Sequence, residues 1–285
     1  MTVPQNPRPT PGRKLRILLT EDNVVNRVLA QKLLQKNGHT VISANNGKEA
    51  TALWQENRPR QFDLILMDIQ MPFMDGLQAT DYIRAQEKAF HSESTAQQAA
   101  MLHIPIIAMT AHAMKGDRER YLAGGMDGYV SKPISSAELE QVIQSVVARF
   151  SPDTSLPAVT ECIEELKPMG IEEAQILARF DGDIELAREL AGIFIEECPK
   201  YLNDMRQAVR EGNAQALEHS AHTFKGSVGN FSTIGAHESA LRLEMLGKSG
   251  ELTGAPEILN LLQEQLAQFT QILARMTKDP VRHSA

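Results

Sequence analysis

Five side chains in the first half have the types and spacing to handle a phosphoryl group. Glu21 and Asp22 follow the apolar run Leu15–Thr20, and Asp68 follows the run Leu64–Met67. Thr110 comes after Ile104–Met109, and Lys132 after Tyr129–Val130. If these runs are strands of one parallel sheet, groups just past their carboxyl ends share a single crevice. Three hard carboxylates without a histidine or cysteine beside them suit Mg²⁺ rather than zinc. An ammonium and a hydroxyl next to such a cluster are what a transferring phosphoryl group needs.

A second set lies in the segment Glu218–Ser232, which reads EHSAHTFKGSVGNFS. Ala214, Leu217, Ala221, Phe224, Val228 and Phe231 recur at alternating helical steps and define an apolar seam. On that helix His222 is expected to point about 130° away from the seam, toward solvent. Lys225 and Gly226 follow at i+3 and i+4, with Gly229 on the same side. A glycine inside a helix costs ~1 kcal/mol relative to alanine. A face that accepts two of them points to a second backbone landing closely there. An exposed imidazole with a neighbouring ammonium and a bare landing surface is the geometry of a phosphoryl carrier. His219 lacks both companions and reads as a solvated neighbour.

These residues need scaffolds of two kinds. A length of 285 residues suggests two domains, and 42% hydrophobic with 23% charged residues excludes a disordered, collagenous or coiled-coil chain. Through Phe150, short apolar runs alternate with helical patterns over Asn23–Asn37, Gly47–Asn57, about Asp75–Ala89, Lys115–Ala123 and a helix opened by Ser135. Glu138 three residues later makes the last opening a capping box. The alternation predicts a doubly wound α/β domain over 15–150, with a five-stranded parallel sheet. The polar stretch Gln86–His103 is expected to be a surface excursion. Residues 1–14 and 151–170 are proline-bearing and read as linkers. Residues 171–285 are helical throughout and predict an antiparallel four-helix bundle, with Pro199 as a kink in its first long helix.

Several function classes are excluded. Residues 1–155 carry 17 basic and 16 acidic side chains, and the remainder 12 and 20, so an acidic second half is a poor match for nucleic acid. No apolar run approaches a membrane span. Two distant cysteines, Cys162 and Cys198, match neither a disulfide framework nor a zinc spacing and suggest a reduced, cytoplasmic setting. Gly247-Lys248-Ser249 imitates the end of a Walker A loop, but Arg242 stands where its first glycine belongs.

The first half resembles the receiver domains of response regulators. The resemblance is carried by Glu21-Asp22, Asp68 within LILMDIQMP, Thr110 within AMTAHA, and Tyr129-Val130-Ser131-Lys132-Pro133. It implies a flavodoxin-like fold with Asp68 as phosphoacceptor. Asp22 would bind Mg²⁺ directly, Glu21 through water, and the main-chain carbonyl of Gln70 would complete the site. Lys132 and Thr110 would hold phosphoryl oxygens, Tyr129 would be the switch aromatic, and the Lys132–Pro133 bond would be cis. The second half resembles histidine-containing phosphotransfer (HPt) domains through His222, Lys225 and Gly226. This implies phosphorylation of His222, with Gly226 and Gly229 where the partner docks. Together they imply a phosphorelay protein like the C-terminal part of a hybrid sensor histidine kinase, fed by a sensor kinase and passing the group to a response-regulator receiver. Without an ATP-binding fold in it, the chain is no autonomous kinase. Two other readings stay open: an interaction module whose docking surface is set by phosphorylation, and a Mg²⁺-dependent phosphate-ester hydrolase.

Overall fold

Runs rich in isoleucine, leucine and methionine form the five strands: β1 (Arg16–Thr20), β2 (Thr40–Ala44), β3 (Leu64–Asp68), β4 (Ile106–Thr110) and β5 (Gly128–Ser131). The computed structural model describes residues 13–56, 62–91, 103–111, 115–150, 173–232 and 234–278. The expected linker 151–170, nearly all of 1–14, most of the Gln86–His103 excursion and His112 lie outside the described residues. The described chain forms an α/β unit and a helical unit.

All strand pairings are parallel, in the order β2-β1-β3-β4-β5. Every residue of β3 and β4 is buried, because helices on both faces leave a central parallel strand no solvent side. The edge strand β2 is more exposed. Helices α1 (Val24–Lys36), α2 (Gly47–Glu56), α3 (Gly76–His91), α4 (Lys115–Ala123) and α5 (Ser136–Arg149) alternate with the strands. Half of the expected capping box at α5 forms. The Ser135 hydroxyl accepts from the Glu138 amide, but the Glu138 carboxylate accepts from the Ser131 hydroxyl at 2.9 Å instead of reaching back.

At the amino ends of the strands, Arg84 donates to Glu87, Asp127 and the carbonyls of Ile104 and Gly125. His103 joins this network through Asp127 at 2.9 Å and stacks on Phe150. His39 is buried and accepts from the Leu15 amide. Neither role is visible in local sequence, because the partners come from distant elements.

Among the described residues the helical unit comprises a short α6 (Glu173–Ala178) and four long helices: α7 (Ile184–Arg210), α8 (Ala214–Gly229), α9 (Ala236–Ser249) and α10 (Ala255–Lys278). Asp183 and Asn213 cap α7 and α8 with their side chains, and Gly250 ends α9 in the left-handed conformation. α7 continues through Pro199 rather than ending there. Phe194, Phe224, Phe231 and Phe269 pack with ring centroids 5.4–6.2 Å apart and form the centre of the core. α8 and α9 cross at very close range. A β-carbon on Gly247 would lie 2.4 Å from the Glu218 amide nitrogen, so only glycine fits there.

Candidate functional sites

Strand register gathers the acids of the α/β unit. β1 and β3 are neighbours and Thr20 lies opposite Met67, so Glu21 and Asp68 leave adjacent strands at one level. This is where the strand order reverses, the position at which doubly wound sheets bind ligands. Asp68 and Thr110 are the last residues of β3 and β4 rather than the first loop residues. Gly76 fixes the turn behind Asp68: a β-carbon there would lie 2.1 Å from the Asp68 carbonyl oxygen.

The carboxylates of Glu21, Asp22 and Asp68 each place one oxygen within 4.8 Å of the others. Lys132 Nζ lies 2.7 Å from Glu21 Oε2 and 2.7 Å from Asp68 Oδ2. The Lys132–Pro133 bond is cis. Burial first, then the Asp68 charge, pushes Glu21 up to about 8, and Lys132 only partly offsets this. Burial alone would lower Lys132, but Asp68 and Glu21 outweigh it and hold the ammonium charged. Three carboxyl groups share one ammonium, so the site carries an excess of negative charge. Oxygen donors this close, with no nitrogen or sulfur donor in the cluster, fit a small divalent cation such as Mg²⁺. Gln70 stands beside them, its main-chain N–H donating to Asp68 Oδ1 at 3.4 Å.

Thr110 is 3% exposed, and its hydroxyl lies 3.0 Å from that of Tyr121 on α4, which is 5% exposed. Tyr129 is half-buried with the Arg118 guanidinium 5.7 Å from its ring centre. Sequence reasoning singled out Tyr129 and missed Tyr121. The only local hint was an aromatic on a short, otherwise polar helix.

In the helical unit His222 is 8% exposed rather than standing in solvent. The helical period sets its direction from the apolar seam, but not what occupies that side. Here Glu244 of α9 occupies it, brought near by the close crossing at Gly247. His222 Nδ1 lies 2.8 Å from Glu244 Oε1, and Lys225 Nζ 2.5 Å from Glu244 Oε2. Burial would raise Glu244, yet its bonds to His222 and Lys225 bring it down to about 2. Glu244 is therefore a carboxylate at neutral pH and accepts, so Nδ1 of His222 carries a proton. Glu244 was not found from sequence; an acid beside the buried stripe Ala240, Leu243, Gly247 was the available signal.

Gly226 is half-buried. Gly229 is buried, not a bare landing surface: Arg179 donates to its carbonyl at 2.8 Å, and the His237 ring lies where a β-carbon would make ordinary contact at 3.4 Å. His219 is half-buried one turn before His222. Burial, then the charges of Lys225 and Arg179, lowers His237 below the usual imidazole range.

Residues 17–144 match the response regulator receiver domain and residues 189–272 the Hpt domain. Sensor protein GacS of Pseudomonas syringae pv. syringae is 31% identical over 220 residues, covering 77% of this chain and 23% of that protein. The polar-differentiation response regulator DivK of Brucella anthropi is 40% identical over 129 residues, 45% of this chain and 93% of its own. The solved receiver domain of sensor histidine kinase PA1611 from Pseudomonas aeruginosa PAO1, with magnesium coordinated in its active-site cleft, is 37% identical. It covers 47% of this chain and 98% of its own, with a TM-score of 0.39. The chain thus spans under a quarter of GacS, and 7% of hybrid signal transduction histidine kinase I of Dictyostelium discoideum, which it also resembles.

Proposed function

We propose, for a chain that belongs to the response-regulator receiver family and carries an Hpt domain behind its receiver, that a phosphoryl group moves between Asp68 and His222. The receiver would span 15–150 and the phosphotransfer bundle 171–285. One oxygen of Asp68 attacks the phosphorus of an incoming phosphohistidine. The P–N bond breaks as the P–O bond forms, and the leaving nitrogen keeps the electron pair. Lys132, already bonded to Asp68, neutralises charge on the phosphoryl oxygens, and the Thr110 hydroxyl donates to another of them. Asp22, Asp68 and the Gln70 carbonyl would hold Mg²⁺, with Glu21 acting through water. The metal would neutralise the excess negative charge that otherwise opposes an anionic donor.

In the onward step His222 Nε2 attacks the acyl phosphate and Asp68 leaves as carboxylate. Positive charge then develops on the imidazole, and Glu244 on Nδ1–H stabilises it. Lys225, bonded to the same carboxylate, would add a positive charge beside the incoming phosphoryl group. The observation that carries this reading is the pair of geometries: a nucleophilic carboxylate held by an ammonium and an imidazole oriented by a carboxylate. The donor would be a sensor histidine kinase and the acceptor a response-regulator receiver, all in the cytoplasm. None of the described helices is long and apolar enough to cross a membrane.

The test is labelling by acetyl phosphate with Mg²⁺. Base-labile label on the intact chain should vanish in Asp68→Asn, which keeps size but removes the nucleophilic charge. Persistent label in that variant contradicts the assignment. Catalytic turnover of added phosphate esters would favour a hydrolase.

A further inference from the structure

We propose that Tyr121 is a positioning residue for the phosphoryl group on Asp68, acting through the hydroxyl of Thr110. The inference rests on the phosphoacceptor reading of Asp68 and adds a residue to it. The two hydroxyls meet at 3.0 Å in a buried place, so bulk water does not compete for their bond. Each hydroxyl has one proton to give. A phosphoryl group presents only acceptor oxygens, so Thr110 serves it by donating. Thr110 cannot then also donate to Tyr121, and the direction between them becomes fixed: Tyr121 donates to Thr110, and Thr110 to the phosphoryl oxygen. Thr110 ends β4 and Tyr121 lies in α4, so this chain of two bonds also ties the phosphoryl group to α4. The same helix carries Arg118, whose guanidinium faces the Tyr129 ring. Occupancy at Asp68 is thereby linked to a helix that also touches the switch aromatic.

The expected effect is that of one oriented hydrogen bond, about threefold to tenfold in affinity for a phosphoryl mimic. The experiment titrates the full chain with beryllofluoride and Mg²⁺, following NMR signals of Asp68, Thr110 and Tyr121. Tyr121→Phe should weaken binding by that factor and leave the melting temperature within a few degrees. Thr110→Val should weaken it too, and Tyr121→Phe should add nothing in the Thr110→Val background. In the unsubstituted chain the Tyr121 ring carbon bearing the hydroxyl should shift on saturation, which keeps the test open if a variant fails to fold. Unchanged or tighter binding in Tyr121→Phe, additive losses in the double variant, or an unmoved Tyr121 signal would each overturn the role. Failure of the unsubstituted chain to bind beryllofluoride would instead overturn the reading of Asp68.

Discussion

In the α/β unit a lysine sits between two carboxylates, Lys132 with Glu21 and Asp68; in the helical unit a carboxylate sits between an imidazole and a lysine, Glu244 with His222 and Lys225. The receiver cluster keeps surplus negative charge even with Glu21 protonated at neutral pH, because Asp22 joins Asp68 against the single ammonium of Lys132. In the bundle cluster one carboxylate faces one ammonium and the imidazole, with no second acid among its bonded groups. On the proposed reading, the difference would explain why the Asp68 site calls for a divalent cation and the His222 site does not. Under the same proposal there would be two ways to prepare a nucleophile: Asp68 would need its repulsion for an anionic donor removed, and His222 one nitrogen available and the other anchored. Each geometry depends on one glycine at a backbone contact, Gly76 behind Asp68 and Gly247 between α8 and α9.

The largest way to break the symmetry is to remove the central group of the bundle. Glu244→Ala should slow transfer to His222 by about 10²-fold, since the ring loses its orientation and charge partner. It should also destabilise the fold by about 3 kcal/mol, because Lys225 is left buried without its counter-ion. Glu244→Gln, which still accepts from Nδ1–H, should restore part of the rate; stopped-flow transfer with urea denaturation checks both. Lys225→Ala should slow transfer less, as the imidazole keeps its anchor.

Next in size are the two glycines. Gly247→Ala forces α9 off α8 and should cost about 2–3 kcal/mol while moving Glu244 from His222. Its signature is reduced transfer to His222 with acetyl phosphate labelling of Asp68 unchanged. Gly76→Ala should show the reverse, lost labelling with the helical unit intact, as followed by NMR of each unit.

The charge difference predicts opposite responses to pH and metal. Glu244 sits at about 2 against an ordinary 4.5, so its stabilisation is present above pH 4.5 and is lost as pH falls toward 2. Glu21 is raised to about 8, so its contribution is present below pH 4.5 and is lost as pH rises through 8. Millimolar Mg²⁺ should raise the melting temperature of the chain at pH 8 and flatten that alkaline loss. Asp22→Ala should abolish the metal effect, and Glu244→Gln should leave it unchanged. Calorimetric melts across pH with and without Mg²⁺ separate the two.

The smallest effect concerns the loop after Asp68. Phe73 is 86% exposed with a φ of 68°, a conformation that bulky residues avoid. Phe73→Asn should raise stability by about 1 kcal/mol without altering Mg²⁺ binding, measured by urea denaturation.

Much of this was legible in the sequence because the signals were local. The apolar runs before Glu21, Asp68, Thr110 and Lys132 are strands, and register brings their ends together without further information. The bundle helices follow from spacing, and their order from the short turns between them. What stayed hidden depended on distant chain segments. Glu244 and Tyr121 lie 22 and 11 residues from the groups they bond, on helices whose rotation only packing decides. The burial of His222 has the same origin, since a helical wheel gives an angle but no neighbour. Gly247 looked like a phosphate-loop fragment, yet its lack of a side chain is what lets α9 reach His222.

The central claim is that Asp68 and His222 exchange one phosphoryl group, and the stability of the label tests it directly. After loading with labelled acetyl phosphate and Mg²⁺, the intact chain should hold base-labile label on Asp68 and acid-labile, base-stable label on histidine. The histidine label should be lost in His222→Gln, kept in His219→Gln, and absent in Asp68→Asn. Base-stable label that survives His222→Gln but disappears in His219→Gln, or that never forms on the intact chain, would contradict the account.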